Sequence, residues 1–384
     1  MRQTNKILII GISARAMAES AARSGYEVAA LDAFGDRDLQ SAVESHSLKR
    51  DFNAGYSAQA IYRASRHLTF DAISYASNFE NHPRIISRYA RKSRIIGNSP
   101  ETLASARDWK TVFQRVRQAG FCAPETIMPG EREKIDFRKR WLIKPMLSGG
   151  GHGIDFYRSS RTLGKESMLQ EFIPGKSCSA AFVADGQNAR IIGITEQLVG
   201  HSEFGARGFQ YCGNILPLPE LMDQRSRRKI IDQVELLASF LTKAHGLSGV
   251  NGIDFILNRD EVWLTEINPR YSASMELMER AYRFPIFHFH AQSIIERKLP
   301  DVRLEDFLGE EIFWGKTMLR AMNDCRAPDT RNWLSKEVHD VPYPEEIFRR
   351  GSPICTMLVH RPKPKALSAA MLERAGEIYA EMHY

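Results

Sequence analysis

One stretch of predicted β structure, residues 250–268, carries oxygen donors inside an otherwise apolar pattern. It reads V-N-G-I-D-F-I-L, then N-R-D, then E-V-W-L-T-E-I-N. A three-residue hairpin loop at Asn258–Asp260 would place Asp254 diagonal to Glu266 across the strand pair. Because side chains alternate along a strand, Asp254, Glu266 and Asn268 would then share one face. The pattern favours a Mg²⁺ site, since that cation takes oxygen ligands, although a solvated hairpin face is the alternative.

Length and composition are those of a globular protein. The chain has 384 residues, enough for two or three domains, with 43% hydrophobic and 26% charged residues. It contains no apolar run of the roughly 20 residues that a membrane-spanning helix needs, and no secretory cleavage pattern follows the first strand-like run. Its 5 cysteines are odd in number and form no C-x-x-C pair, which indicates a reducing compartment. We therefore expect a soluble, cytoplasmic protein.

The charge pattern does not favour a nucleic-acid ligand, and it is compatible with small anionic substrates. The formal charge is +7, from 53 Lys and Arg against 46 Asp and Glu. Nucleic-acid binders usually concentrate basic residues on one face or arm, whereas here they are dispersed. A basic solvated surface is the simpler interpretation, and it would attract nucleotides and other small anions equally well.

The first hundred residues alternate between strand and helix patterns. This is typical of a small, mostly parallel α/β sheet. The predicted strands are Lys6–Ile10, Glu27–Leu31, Asp71–Tyr75 and Arg94–Ile96, and the predicted helices are Ala16–Ser24 and Pro83–Arg91.

A dinucleotide-binding loop is one hypothesis for this first domain. Gly11 follows the first strand, and Asp32 lies about 20 residues further on, where an acid would bind a ribose. The loop, however, reads G-I-S-A-R-A and lacks two of the three glycines of a G-x-G-x-x-G motif. A tight turn at Gly11 with Ser13 as a helix cap is the favoured interpretation, and an NAD-linked oxidoreductase remains an alternative.

After Ser99 the sequence changes to a helix followed by several strands. We find no internal repeat and no long low-complexity stretch. The predicted elements are a helix over Pro100–Ala119, strands at Trp141–Lys144, Met168–Ile173, Ser179–Ala184 and Arg190–Gln197, a helix over residues 230–245, strands at Ile312–Leu319 and Ile354–Val359, and a final helix near Ser368–Met382.

Residues 148–153 read S-G-G-G-H-G directly after the predicted strand W-L-I-K-P. Four glycines in six residues let backbone N–H groups approach phosphate oxygens without interference from Cβ atoms. The loop lacks the Gly-Lys-Ser/Thr ending of a Walker loop, and a flexible hairpin tip is the alternative. Lys144, at the end of the preceding strand, would be costly to bury without an anionic partner. The later apolar strand L-Q-E-F-I could present its backbone to an adenine edge.

The order of these features resembles the ATP-grasp superfamily over about residues 100–275. The most specific part is the E-I-N-P-R run at 266–270 with G-I-D-F upstream of it. The resemblance implies an N-terminal α/β (pre-ATP-grasp) domain with a parallel sheet, followed by a two-lobed α+β fold with mixed or antiparallel sheets. The corresponding domains are residues 1–98, a small lobe at 99–175, a large lobe at 176–300, and a tail at 301–384 that completes the large lobe or forms a small extra domain.

The resemblance also implies a role for individual residues. Lys110 and Lys144 would contact ATP phosphates, with the glycine loop folded over them, and Glu171, Phe172 and Ile173 would line the adenine pocket. Asp254, Glu266 and Asn268 would hold one or two Mg²⁺ ions, for which Mn²⁺ could substitute. Lys144 and Arg270 are the catalytic candidates, Arg270 steadying the transferred phosphoryl group or the intermediate. The full set of ATP-binding candidates is Lys110, Lys144, Ser148, Gly149, Gly150, Gly151, His152, Gly153, Gln170, Glu171, Phe172 and Ile173.

One departure concerns the ribose. Many family members carry an acid just after the hinge turn, whereas this chain has Gly175, Lys176 and Ser177 there. The Ser-Cys-Ser run at 177–179 resembles the branch containing ligases of pyrrolysine synthesis and tyramine–glutamate ligases of methanofuran synthesis.

The implied function is an ADP-forming carboxylate–amine ligase of amino-acid or cofactor biosynthesis. A carboxylate would take the γ-phosphoryl group of MgATP, and an amine would displace phosphate from the acyl phosphate. The alternatives are a carboxylase that uses bicarbonate and a non-catalytic ATP-binding protein. Arg207 and Arg270 are the substrate-binding candidates, with Arg15 and Glu80 as further candidates. The expected partners are a small carboxylate and a small amine, with a homodimer as a candidate assembly and neither nucleic acid nor a membrane.

Overall fold

The computed structural model describes residues 6–159, 163–308 and 312–384. The N-terminal part is a five-stranded parallel sheet in the order β3-β2-β1-β4-β5, which confirms the predicted parallel α/β unit. Its strands are β1 (Lys6–Ile10), β2 (Glu27–Asp32), β3 (Glu44–Ser47), β4 (Ala72–Tyr75) and β5 (Arg94–Ile95), and its helices are α1 (Arg15–Arg23), α2 (Arg37–Ala42), α3 (Leu48–Asp51), α4 (Ala58–Ser65) and α5 (Pro83–Ala90). The sequence does not predict β3, because its letters E-S-H-S contain no apolar residue.

The central strand β1 is buried on both faces, as parallel strands usually are. Ile7 and Ile9 pack into one apolar cluster, while Leu8 and Ile10 pack into another on the opposite face. The continuous apolar run K-I-L-I-I therefore suits only a strand covered on both sides.

The next unit is a four-stranded antiparallel sheet in the order β6-β9-β7-β8, preceded by two helices. Its elements are α6 (Pro100–Ala106), α7 (Trp109–Gln118), β6 (Thr126–Ile127), β7 (Trp141–Pro145), β8 (Asp155–Phe156) and β9 (Ser167–Glu171). The prediction of one helix over 100–119 is wrong. The backbone breaks between Ala106 and Trp109, where Asp108 caps the second helix by accepting a hydrogen bond from the Thr111 backbone N–H at 3.2 Å.

The largest unit is an eight-stranded antiparallel sheet in the order β14-β13-β10-β11-β12-β15-β19-β17. Strands from residues 176–268 and from residues 313–361 thus belong to one sheet. Its strands are β10 (Lys176–Asp185), β11 (Ala189–Val199), β12 (Tyr211–Leu216), β13 (Ser248–Asn258), β14 (Glu261–Asn268), β15 (Phe313–Arg320), β17 (Val338–His339) and β19 (Pro353–Arg361), and β16 (Cys325–Arg326) pairs separately with β18 (Ile347–Phe348). The helices are α8 (Gln224–His245), α9 (Ala273–Tyr282), α10 (Ile286–Ile295) and α11 (Pro364–Glu381).

The two faces of this sheet have different covers. On one face, alternate residues of β10 such as Phe182 pack with Val234 and Leu241 of α8. On the other face, Ala181 and neighbouring residues pack with α9, α10 and the N-terminal unit. Ser179 and Asp254 lie on that second face, where the helices leave it open to a cavity. No helix in the described part of the chain is both long and apolar enough to cross a membrane.

Candidate active site

A cavity of about 1150 Å³ lies where the three units meet. Loops of the N-terminal unit line one side, the glycine loop and β9 line another, and the hairpin of β13 and β14 forms the floor. Residues of β15 and of the segment 340–356 close the remaining side. Most of the residues predicted from the sequence meet here, namely Lys144, Ser148, Gly149, Gly150, Gly151, His152, Gln170, Glu171, Phe172, Ile173, Asp254, Glu266, Asn268 and Arg270.

The hairpin on the cavity floor has a different register from the predicted one. Its loop contains two residues, Arg259 and Asp260, because Asn258 pairs with Glu261. A bulge between Asp254 and Phe255 then sets Asp254 directly opposite Glu266 rather than diagonal to it. The predicted three-residue loop is therefore wrong, whereas the prediction that the polar side chains share one face is confirmed.

The two carboxylates of the floor have opposite electrostatic environments. Burial and the neighbouring charge of Glu266 raise the pKa of Asp254 to about 7. Burial also acts on Glu266, but the positive charges of Arg107 and Lys144 outweigh it and hold the pKa of Glu266 below its usual value. Of the two carboxylates, Asp254 therefore binds a proton more readily than Glu266 does.

Hydrogen bonds fix the orientation of these donors. Asp254 accepts from the side-chain amides of Gln197 at 2.9 Å and Asn268 at 3.0 Å. Glu266 accepts from Arg107 Nη1 at 2.8 Å through Oε1, and no hydrogen bond among the described residues engages its Oε2. Two carboxylates and one amide oxygen on a rigid hairpin are the hard-oxygen set that suits Mg²⁺. A cation there would also relieve the repulsion between the two carboxylates.

Arg270 joins the floor to the N-terminal unit. Its Nη2 donates to Asn268 Oδ1 at 3.0 Å, and its Nε donates to Glu80 Oε1 at 2.9 Å. Glu80 is 2% exposed, and its other oxygen, Oε2, has no hydrogen-bond partner. The guanidinium thus occupies a fixed position at the edge of the oxygen cluster.

Lys144 lies at the end of β7 and points into the same cavity. Its Nζ donates to Gln170 Oε1 at 3.0 Å, and the Gln170 amide donates in turn to the Thr265 carbonyl at 3.5 Å. Burial lowers the pKa of Lys144, and the charges of Glu266 and Asp254 oppose that shift. A buried lysine with only a neutral direct partner is suited to meet an anionic ligand.

The glycine loop lies close against the segment that follows β11. At Gly151 the backbone φ is +75°, and a Cβ added there would lie 1.8 Å from the Phe209 carbonyl oxygen. The Gly150 carbonyl accepts from the Tyr211 backbone N–H at 3.1 Å. Of the described residues 148–153, Gly153 alone does not line the cavity, and a Cβ added there would lie 2.8 Å from Pro145 Cγ. Only glycine fits this path at residue 151.

Residues 171–173 form an apolar wall of the cavity with a polar rim. The Phe172 ring packs edge-on against Phe156 at 5.2 Å between centroids, and the guanidinium of Arg140 lies over Phe172 at 4.7 Å. Ile173 is buried, and Glu171 forms an ion pair with Lys139 at 3.2 Å. A flat aromatic base would fit against such a wall.

Lys110 does not lie at the cavity. Its side chain is 61% exposed and forms an ion pair with Glu131 at 2.8 Å. The reason is the position of the helix break, because α7 buries Trp109, Val112 and Phe113 and leaves Lys110 on the opposite face.

Arg107, just before that helix, reaches the site instead. It contacts Glu266 and also donates to the Met146 carbonyl at 3.3 Å. The R-D-W-K run contains both residues, and only the location of the helix cap distinguishes them.

Arg207 is likewise outside the cavity and exposed. Its backbone N–H donates to the Gln210 side chain, which closes a turn in the segment 201–210. That turn directs Phe209 and Gln210, rather than Arg207, toward the glycine loop.

Several cavity residues have no sequence signal of their own. Lys316 on β15 forms an ion pair with Glu276 at 2.6 Å, and Arg320 donates to the Gly351 carbonyl at 3.1 Å. Gln197, which holds Asp254, lies on β11 in the run T-E-Q-L. Gln197 lies on β11 and both Lys316 and Arg320 lie on β15, so the order of strands in the sheet brings them to the hairpin.

The chain is similar to a known protein family and to several individual proteins. Residues 106–274 match the family model described as an ATP-grasp domain. An uncharacterized protein of Methanocaldococcus jannaschii is 22% identical over 393 residues, which cover 97% of this chain and 92% of that protein. The carbamoyl phosphate synthase large chain of Thermotoga petrophila is 24% identical over 246 residues, and the match covers 59% of this chain but 22% of the synthase.

A solved structure also shares the fold. Biotin carboxylase from Campylobacter jejuni, in complex with an ATP analogue, superposes with a TM-score of 0.72 at 16% identity. The match covers 99% of this chain and 92% of that one. At this identity the likeness describes the fold, and the arrangement of a parallel N-terminal sheet followed by antiparallel sheets is common to both.

Proposed function

From the premise that residues 106–274 of this chain are an ATP-grasp domain, we propose that the protein is an ADP-forming carboxylate–amine ligase. It would transfer the γ-phosphoryl group of ATP to a carboxylate oxygen, releasing ADP and an acyl phosphate. An amine nitrogen would then form a bond to the acyl carbon as the C–O bond to phosphate breaks. The products are an amide, ADP and phosphate, and one proton leaves the amine.

The ATP-grasp domain indicates the general activity of the protein. The protein is an ATP-dependent enzyme that catalyses ligation and uses ATP and Mg²⁺. What remains proposed is the identity of the substrate groups and the role of each residue.

The observation that carries the proposal is the convergence of three kinds of group in one cavity. The oxygen donors Asp254, Glu266 and Asn268 lie beside the cations Lys144 and Arg270, and the glycine loop covers the same space. Phosphoryl transfer needs charge neutralisation and positioning more than a covalent group on the protein. Such a cavity supplies both without a nucleophilic serine or cysteine.

The roles follow from those positions. Asp254, Glu266 and Asn268 would hold Mg²⁺, which supplies neutralisation of phosphate charge. Lys144 would bind phosphate oxygens, together with backbone N–H groups of the loop at 148–152. Arg270 is placed next to the metal donors and would stabilise charge on the transferred group.

The adenine would lie against the wall at residues 171–173. Phe172 and Ile173 line the cavity there and offer apolar surface. Ser177 takes the place of the acid through which many family members bind the ribose, and the preceding Lys176 forms ion pairs with Glu196 and Glu220 at 2.9 and 2.8 Å. Ser177 lines the cavity and is the nearest replacement in sequence.

The substrates are proposed to be small molecules, because the cavity is enclosed by three units of the same chain. The boundaries at residues 98, 175 and 300 and the relationship to ligases of pyrrolysine and methanofuran synthesis stay predictions, as does a homodimer.

The experiment combines nucleotide binding with trapping of the intermediate. Thermal unfolding is measured with ATP, a non-hydrolysable ATP analogue and NAD, each with and without Mg²⁺. Occupancy at a hundred times Kd should add about 2.7 kcal/mol and raise the melting temperature. The enzyme is then incubated with MgATP, a panel of carboxylic acids and hydroxylamine, which converts an acyl phosphate into a hydroxamate.

Formation of ADP and hydroxamate with one of the acids supports the proposal. ADP release with bicarbonate alone would favour the carboxylase alternative, and stabilisation by NAD without MgATP stabilisation would contradict the ATP site. Glu266→Gln is the control variant, since it keeps the side-chain shape and removes the charge. It should lose ADP formation while it still unfolds cooperatively.

A further inference from the structure

The side of the cavity opposite the nucleotide wall is built from the N-terminal sheet. The loops after β1, β2 and β4 place Ser13, Asp36 and Glu80 along it. These loops are at the carboxyl ends of neighbouring parallel strands, where open α/β sheets bind their ligands. The location therefore favours a ligand distinct from the nucleotide.

Four aspartates crowd this end of the sheet, and three of them are fully engaged. Asp32 accepts three backbone hydrogen bonds, from Ala14, Phe34 and Gly35. Asp38 accepts from the backbone N–H groups of Asp340 and Val341, and Asp340 itself is held by the Arg15 guanidinium at 2.8 and 3.3 Å. Each oxygen of these three carboxylates accepts at least one hydrogen bond, and together they stabilise the loops.

Asp36 differs from its neighbours in its hydrogen bonding. It is 9% exposed and lines the cavity, and its Oδ2 has no hydrogen-bond partner among the described residues. It occupies the N-cap position of α2, where an aspartate normally accepts a backbone hydrogen bond, yet its side chain accepts none from the helix. The carboxylate therefore does not cap the helix that follows it.

Among the residues that the structure describes, no cation forms an ion pair with Asp36. Arg15 is 1% exposed and is shared among Glu19, Asp38, Glu276 and Asp340. Burial and repulsion from neighbouring carboxylates, first that of Asp340, raise the pKa of Asp36 well above its ordinary value. A buried acid without a partner is costly, so a ligand that brings positive charge and N–H donors would be favoured there.

We propose that Asp36 binds the ammonium group of the amine substrate. This inference rests on the proposed ligase function and assigns the amine to the N-terminal side of the cavity. A metal ion suits the position less well, because Mg²⁺ and Ca²⁺ need several oxygen ligands and the neighbouring carboxylates are already engaged. An ammonium group needs one free carboxylate and a few further acceptors.

The test uses methylammonium chloride as the probe, because it carries N–H donors and needs no knowledge of the natural substrate. Its control is tetramethylammonium chloride at the same ionic strength, which has the same charge and no N–H group. Thermal unfolding of the full chain is measured in both salts, with and without MgATP. For the wild type we expect a melting temperature about 2–4 °C higher in methylammonium than in tetramethylammonium.

Asp36→Asn should abolish that difference, and Asp301→Asn, a change at an exposed aspartate, should retain it. Asp36→Ser is the second variant, since serine is a good N-cap and keeps α2 capped if asparagine perturbs the loop. A difference that survives in both Asp36 variants would overturn the proposal. Equal melting temperatures of the wild type in the two salts would also overturn the proposal. If MgATP still stabilised the wild type in that case, the proposed ligase function would be unaffected. A failure of MgATP to stabilise the wild type would instead contradict the proposed function.

Discussion

Arg107 Nη1 donates to Glu266 Oε1 across 2.8 Å, so the acid on the cavity floor has a cationic partner from a different unit of the chain. The pair joins the segment just before α7 to the hairpin of β13 and β14. The charge of Arg107 helps to hold the pKa of Glu266 below its usual value, whereas burial and the charge of Glu266 raise the pKa of Asp254.

Replacing Arg107 by methionine should therefore damage the site. Arg107 is 6% exposed, and its loss leaves Glu266 without its partner, which should lower the free energy of unfolding by about 3 kcal/mol. We expect at least a tenfold loss of ATP turnover. Urea unfolding and an ADP-release assay measure the two effects.

Lys110→Met is the matched control, because it removes a positive charge three residues away on an exposed face. Its unfolding and ATP turnover should resemble those of the wild type. An equal loss of turnover in both variants would indicate that Lys110 contacts the ATP phosphates after all. It would contradict the conclusion that Arg107, and not Lys110, reaches the site.

Magnesium binding should depend on pH through Asp254, whose pKa of about 7 means that a cation must displace a proton. Without nucleotide, the affinity should rise about tenfold per pH unit below pH 7 and level off above it. Calorimetric titration at pH 6, 7 and 8 in two buffers gives both affinity and proton release. Affinity that does not change over this range would contradict the shifted pKa, and Asp254→Asn should show neither binding nor proton release.

The same shift has a consequence for the metal-free protein. Between the ordinary value of 3.8 and about 7, the folded chain holds a proton that the unfolded chain releases. The contribution of Asp254 to stability therefore decreases as the pH rises through this range. Asp254→Asn should remove that part of the pH dependence, which urea unfolding at several pH values can measure.

Gly151→Ala should destabilise the glycine loop. The backbone conformation at φ +75° costs a non-glycine residue about 1–2 kcal/mol, and the close Phe209 carbonyl adds to that cost. We expect a lower free energy of unfolding and a smaller stabilisation by MgATP. Gly149→Ala has open space around its added methyl group and should leave the free energy of unfolding nearly unchanged, so equal destabilisation by the two changes would contradict the described loop path.

Glu80 should act on turnover through Arg270. Glu80→Ala removes the acceptor for Arg270 Nε, so the guanidinium loses its anchor to the N-terminal unit. We expect MgATP to stabilise the variant as it does the wild type, while the rate of ADP formation falls at least tenfold. Glu80→Gln keeps an acceptor oxygen and should retain part of the rate, and an unchanged rate in the alanine variant would exclude this positioning role.

Strong local patterns allowed much of the fold to be predicted. The strand K-I-L-I-I at 6–10 has the predicted ends, because a continuous apolar run bounded by Gly11 allows little else. The helix break at 107–108 is harder to predict, since an aspartate can cap a helix or lie on its surface. The position of this break determines that Arg107, and not Lys110, contacts Glu266.

The register of the hairpin shows a second limit. Its two-residue loop places Arg259 at φ +56°, a conformation that arginine seldom adopts, and the bulge near Thr265 leaves no mark in the sequence. The oxygen cluster was predicted correctly because the bulge offsets the one-residue shift that the shorter loop introduces, so Asp254 and Glu266 remain on the same face. Asp36 was not, because its significance lies in the absence of a partner, and a sequence does not state which neighbours are already engaged.

The order of strands in the large sheet bears on how the chain is made. β12 ends at Leu216, yet its outer neighbour β15 begins at Phe313, so about a quarter of the chain is synthesised between them. During translation this edge of β12 stays unpaired until β15 has been synthesised. We infer that nascent chains arrested between these strands would expose an unpaired strand edge that can pair with another chain. The eight-stranded sheet would be completed only late in synthesis.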